Sequence, residues 1–299
     1  MRLVSVGNVI IDLTISVPAL PERGGDVLGH ATGSTPGGSF NVMVAAARQG
    51  LPTAYGGAHG SGPFGEQVRA ALAAEGIEVL QHPTVGVDTG YDIALTEEGG
   101  ERTFVTVFGA EAGLTGEALA GIRLGEGDFV HVSGYGLLKR SNGAALAGWL
   151  GSLGPRLVVL VDPGPLVRDV PLAVWAVARA RADWISCNLR EAQRLTGAAD
   201  AAAATEMLGN LGNVLVRLGP DGCLIGVDGT ITHVPGFPVD AIDTNGAGDA
   251  HAGAFLAALA RGAAPVTAAR AANACAAIAV TRRGPATAPT IAETSALLD

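Results

Sequence analysis

The sequence predicts an α/β fold: a three-layer α/β/α core, with helices covering a mainly parallel sheet, and a small β-sheet lid. Two observations predict it. Short β-branched or apolar runs alternate with Ala/Leu-rich segments of helical period, the sequence form of a parallel sheet covered by helices. Two other stretches interrupt that alternation with short strands and a hairpin.

The core strands are expected at Leu3 to Val6, Phe129 to Val132, Leu157 to Val161, Trp184 to Cys187 and Val214 to Leu218. The helices between and after them are expected at Phe64 to Glu75, Asn142 to Leu153, Leu189 to Thr196, Gly248 to Ala260 and Pro265 to Val280. Leu13 to Val17 and Val27 to His30 read as lid strands. Tyr91 to Thr96 and Arg102 to Phe108 read as a hairpin across Glu97-Glu98-Gly99-Gly100. The lid is thus two excursions, about residues 13–35 and 91–109, from one domain spanning 1–299. No Pro/Ser linker or internal repeat divides the chain.

Composition narrows the class of function. Hydrophobic residues make up 48% of the 299, yet the longest apolar runs, such as Ala274 to Val280, are far shorter than a membrane span. Met1 to Ile11 carries only Arg2 before Asp12 and no small-residue cleavage site follows, so a cytoplasmic protein without membrane partners is expected. A net charge of -9 argues against nucleic acid as the main partner, because binding its backbone needs a positive field. Cys187, Cys223 and Cys275 are isolated and read as buried thiols, outside any disulfide framework or zinc site.

The segment richest in chemistry is Asp243-Thr244-Asn245-Gly246-Ala247-Gly248-Asp249, which opens an apolar-periodic helix. Gly246, Ala247 and Gly248 leave the backbone bare at the helix start, where unpaired N–H groups and the helix dipole favour an anion. A carboxylate beside such a site, Asp249, is able to take a proton from a hydroxyl attacking a phosphoryl group. Read alone, the turn fits equally a helix-capping aspartate. A Walker A loop requires a lysine before Ser/Thr, but the one lysine, Lys139, precedes Arg140. A dinucleotide site requires an acidic residue about 20 positions after the glycines, but Ala263 to Ala279 contains no Asp or Glu.

From Leu3 to about Thr290 the chain resembles the PfkB, or ribokinase-like, carbohydrate kinases, and the 243–249 segment fits their C-terminal signature throughout. The resemblance implies an ATP-dependent transfer of the γ-phosphoryl group to a hydroxymethyl group of a small carbohydrate, with Asp249 as base and 246–248 as anion hole. Asn188-Leu189-Arg190-Glu191 resembles the family's N-x-x-E motif, implying that Asn188 and Glu191 organise Mg2+ and ATP phosphates through water, although a helix cap predicts the same letters. Arg217, Gly219 and Gly222, in the turn that follows a strand, and Asn273, on the last long helix, are implied at the ATP site. Asp243 is similar to the residue beside a monovalent-cation site, which makes K+ a candidate; a turn aspartate is its alternative.

For the acceptor, Gly7 to Asp12 resembles the family's first strand, whose closing aspartate holds hydroxyls. Pro36 to Asn41 resembles its glycine pair and substrate-binding asparagine, implying Asp12, Gly38 and Asn41 as acceptor residues. Pro36, Ser39 and Met43 depart from the usual residues there. Arg102 in the lid hairpin is a further candidate for a sugar hydroxyl or phosphate, against a solvated cross-strand charge. Ile10, where ribokinases proper carry asparagine, disfavours ribose. Phe104 and Phe108 fall on one lid face and offer either a platform for a nucleoside base or a small lid core; the core reading favours a sugar over a nucleoside of the adenosine-kinase type. The lid is also the candidate surface for a homodimer. A sensor that keeps the fold without turnover is the rival class, and it has no need of a base at Asp249.

Overall fold

The computed structural model describes residues 1–99, 101–210 and 212–299. Thirteen strands among them form two sheets. The large sheet contains β1 (Leu3–Ser5), β4 (Thr53–Tyr55), β5 (Glu78–Val79), β8 (Phe129–Ser133), β9 (Val158–Asp162), β10 (Trp184–Asn188), β11 (Asn213–Arg217), β12 (Cys223–Val227) and β13 (Thr230–Val234). Their order is β13-β12-β11-β10-β9-β8-β1-β4-β5, parallel except for the antiparallel β12 and β13 at one edge. The small sheet is made of β2 (Val9–Val17), β3 (His30–Gly38), β6 (Tyr91–Glu97) and β7 (Arg102–Val107), in the order β3-β2-β6-β7.

Alternation along the core strands explains the three layers. Val4, Val130, Val159, Val161, Ile185, Val214 and Val216 point to one face and pack with Leu146, Leu150, Ala178, Ala192 and Leu208 from four helices. Leu3, Phe129, Leu160, Trp184 and Leu215 point to the other, against Ala45, Phe255, Ala268 and Ala272. Each large aliphatic side chain buried in this way contributes about 1.5–3 kcal/mol. On that second face Trp184 and Phe255 meet edge-on, their centroids 4.7 Å apart.

A third cluster fixes the lid to the core. Val9 and Ile11 of β2 pack with Phe40, Met43, Tyr55, Val68 and Leu72, and Leu13 and Tyr91 lean on the same cluster. The odd-numbered residues at this end of β2 therefore face the core helices, and Asp12 faces the opposite way. At the foot of the hairpin, buried Glu111 accepts from the N–H groups of Gly90 (2.7 Å) and Gly109 (2.8 Å), clipping its two ends together.

The expected core strands and helices form within one or two residues of their bounds. The lid needs correction. Val27 to Leu28 is not a strand; pairing begins at His30 and runs to Gly38. Pro36 and Gly37, beyond the expected lid strand, pair with Ile11 and Ile10. β3 is an edge strand, where a proline is tolerated because its missing N–H faces away from the partner. Gly100, part of the predicted hairpin turn, lies outside the described residues; β6 and β7 on either side pair antiparallel as expected.

Candidate active site

The carboxyl ends of the parallel strands β8 to β11 carry Ser133, Asp162, Asn188 and Arg217, the edge at which open α/β sheets bind ligands. Above it, the helix Ala247–Ala260 begins at Gly246, which adopts a left-handed φ of 74°. A Cβ at Gly246 would lie 2.1 Å from the Pro285 carbonyl oxygen, so only glycine fits there. The first-turn N–H groups that follow have no intrahelical acceptor and form the anion-binding end of the helix.

Asp249 sits in that first turn, and its Oδ2 accepts a 2.9 Å hydrogen bond from Asn41 Nδ2. The two residues are 208 positions apart and are joined by the packing of the helix Ser39–Arg48 against Ala247–Ala260. Burial raises the Asp249 pKa to about 6, with a smaller push from Asp162, against the opposing effects of Asn41 and Arg217. Such a carboxylate is ionised near neutral pH yet is a better proton acceptor than an exposed one. Asn41 Oδ1 is buried without a partner.

On one side of this turn lies a cavity of about 690 Å3, lined among others by Asn188, Arg217, Gly219, Gly222, Ala247, Gly248 and Asn273. Gly219 and Gly222 have φ of 65° and 87° and form the tight turn in its wall. Asn273 lines the cavity, but its polar atoms are engaged: Nδ2 donates to the Val234 and Pro235 carbonyls and Oδ1 meets His251 Nε2, all at 3.0 Å. His251 is a packed residue, and burial drops its pKa to about 3.

Asn188 and Glu191 form a reciprocal capping box: Asn188 Oδ1 accepts from Glu191 N–H at 2.8 Å, and Glu191 Oε2 accepts from Asn188 N–H at 2.9 Å. Arg217 donates to Ser186 Oγ (2.5 Å) and Asp162 Oδ2 (3.1 Å), with Glu191 Oε2 at 3.7 Å. Burial and Asp162 push the Glu191 carboxyl up in pKa, and Arg217 pulls it down. Among the described residues no three His, Cys, Asp or Glu side chains form a metal cage. The donors present suit a hydrated magnesium held mainly by phosphates and waters.

On the other side of Asp249, beneath the lid, stand Asp12 and Gly38. A Cβ at Gly37 would fall 2.3 Å from both Asp12 carboxylate oxygens, so the bare backbone makes room for that group. Burial raises the Asp12 pKa to about 8, with contributions from Asp92 and then Asp249. Asp92 was not singled out by the sequence reading, nor were Asp162 and Tyr135. Tyr135 is raised to about 12 mainly by burial, with smaller pushes from Asp92, Glu191, Asp162 and Asp249.

Arg102 reaches from the lid to Asp243, with Nη2 2.6 Å from Oδ1. Asp243 also accepts from Asn245 N–H (Oδ1, 2.9 Å) and Gly284 N–H (Oδ2, 3.1 Å). Its three partners hold its pKa below the ordinary carboxylate value, against a partial desolvation. Phe104 and Phe108 are not the small lid core expected of them: they are 48% and 41% exposed, Phe104 on edge strand β7 and Phe108 just past its end.

Residues 1–291 match the model of the pfkB family carbohydrate kinases. The uncharacterized sugar kinase YegV of Escherichia coli (strain K12) is 33% identical over 95% of this chain and 90% of its own. The ATP-dependent ribose-1-phosphate kinase of Halopiger xanaduensis is 30% identical over 100% and 98%. Fructokinase from Vibrio cholerae O395, solved with fructose, ADP and calcium ion bound, is 26% identical and superposes with a TM-score of 0.82 over 100% of this chain and 99% of its own. The chain is therefore a member of the pfkB family of carbohydrate kinases, phosphotransferases with an alcohol group as acceptor.

Proposed function

We propose that this kinase moves the γ-phosphoryl group of ATP to a hydroxymethyl group of a small sugar, with Asp249 as the base. The observation that carries the residue assignment is the position of Asp249: in the first turn of a helix whose start lines the 690 Å3 cavity, and hydrogen-bonded to Asn41 beneath the lid. ATP fills the cavity, its adenine end toward Asn273 and Ala276 and its γ-phosphate at the 246–248 turn. Asp12, Gly38 and Asn41 hold the acceptor. Asp249 takes the hydroxyl proton as the oxygen attacks phosphorus, and the helix N-terminus stabilises the charge on the transferring group.

Asn188 and Glu191, with Asp162, face the phosphates; Arg217 keeps these carboxylates from repelling one another. Magnesium bound there through water would neutralise phosphate charge. The Asp243 carboxylate is already paired with the Arg102 guanidinium, so K+ at this carboxylate would share it with that cation. Val105 and Val107, 54% and 41% exposed on one face of edge strand β7, support a homodimer formed through the lid. No helix among the described residues is long and apolar enough to cross a membrane, and cytoplasmic ATP suits this chemistry.

The test is ADP release across a panel of sugars, sugar acids and nucleosides. Asp249→Asn keeps the size and removes the proton acceptor, so kcat is expected to fall by about 100-fold or more with ATP binding retained. Near-wild-type turnover by this variant would remove Asp249 from the mechanism.

A further inference from the structure

Asp92 stands beside Asp12 in the roof of the acceptor site. β2 and β6 are parallel neighbours, and their register pairs Asp12 with Asp92 directly. Adjacent strands lie about 4.8 Å apart. Ile11 and Tyr91, the residues before each aspartate, turn into the apolar cluster under the lid, so alternation sends both carboxylates to the opposite face, toward Asp249. β7 continues that face with Thr106, paired with Asp92, and Phe104, paired with Ala94.

Asp92 is only 8% exposed, and its Oδ1 is buried with no hydrogen-bond partner. An unpaired buried carboxylate oxygen costs folding free energy unless a ligand completes it. Asn41 Oδ1, also buried and unpartnered, lies across the same site through its bond to Asp249. Arg102 and Arg217, which reach the site, are engaged with Asp243 and Asp162 respectively. The roof therefore presents unpaired hydrogen-bond acceptors with Arg102 and Arg217 turned to other partners. Burial raises the Asp92 pKa to about 6, and Asp92 in turn raises Asp12, as expected of neighbouring carboxylates.

We propose that Asp92 is a second acceptor-binding carboxylate, which together with Asp12 takes neighbouring hydroxyls of an uncharged sugar and turns away acceptors carrying a carboxylate or phosphate at that end. This rests on the sugar-kinase reading and names the class of sugar. An anion placed there would meet a pair of buried acids with no counter-charge beside them, whereas a diol offers a donor to each. The relative from Halopiger, named for ribose 1-phosphate, makes a phosphorylated sugar the informative competitor.

The experiment measures kcat/KM for matched uncharged sugars, sugar acids and sugar phosphates, with wild type, Asp92→Asn and Asp92→Ala, alongside the melting shift each acceptor produces without ATP. Circular dichroism establishes that the variants fold. Wild type is expected to favour the uncharged member by about tenfold or more; Asp92→Asn is expected to raise its KM about tenfold, leave the KM for ATP unchanged and narrow the discrimination. Unchanged acceptor KM and discrimination in both variants, or a wild-type preference for the anionic member, would overturn the proposal. If no acceptor supports ADP release, the phosphoryl-transfer reading fails; the sugar-induced melting shift then judges Asp92, whose substitution by alanine must abolish it.

Discussion

The pair Asn41 and Asp249 sets the proton affinity of the proposed base. Burial raises the Asp249 pKa to about 6, and the hydrogen bond from Asn41 is the largest opposing effect, ahead of Arg217, while Asp162 adds to the rise. The active form is the carboxylate, so kcat is expected to fall as pH drops through about 6. Asn41→Ala removes the stabilising donor and is expected to move that acid limb upward by about one pH unit. A pH profile of kcat at saturating acceptor checks it; an unmoved limb would mean that Asn41 does not tune Asp249. Asp249 and its glycines were legible because they are contiguous in sequence. Asp162 was not, because the expected strand ended at Val161, one residue short, which left the aspartate in an anonymous loop. Asp92 was hidden differently: only the parallel pairing of β2 with β6, segments about 80 residues apart, brings it beside Asp12.

Two elements converge on the loop before the Ala247–Ala260 helix. Gly246 turns the chain into that helix at φ 74° under the Pro285 carbonyl. Gly246→Ala meets both the unfavourable φ and the clash, and is expected to cost about 1–3 kcal/mol of stability together with most of the activity. Denaturant unfolding beside ADP release checks it, and wild-type values for both would show that the turn has room to adapt. From the other side the β6–β7 hairpin places Arg102 on Asp243, 141 positions away. Arg102→Ala leaves this carboxylate without its guanidinium, so the rate is expected to become more dependent on potassium than in wild type, as read by ADP release in potassium and in sodium. Identical potassium responses would mean that Arg102 does not compete for the site. The hairpin was legible from its alternation, but β3 was misplaced because Pro36-Gly37-Gly38 has loop composition; only pairing to Val9–Asp12 makes it a strand. Gly37 there serves the site by making room for the Asp12 carboxylate.

At the scale of the whole molecule, the alternation of apolar runs foretold a layered parallel sheet but not its order, in which β1 lies between β4 and β8 and the direction reverses at β12. That order gathers strand ends from distant parts of the chain, and with the lid it concentrates carboxylates in a protein whose net charge is already -9. The consequence is a stability that depends on the acceptor site. Asp12 titrates near 8 in the folded state against 3.8 for the free side chain, so the folded protein binds the extra proton between these values. A raised carboxylate destabilises the fold progressively as pH climbs from about 4 to about 8, and the effect vanishes below the lower value. Asp12→Asn removes the charge and keeps the shape. It is expected to raise Tm by about 2–4 °C or more near the upper end of this window, with the gain shrinking toward the lower end, while acceptor KM rises at least tenfold, roughly the exchange between stability and function expected of a binding carboxylate. Calorimetry of wild type and Asp12→Asn at several pH values decides it: a Tm difference that stays constant across the window, or that grows as pH falls, would show that Asp12 is not held as a strained buried acid.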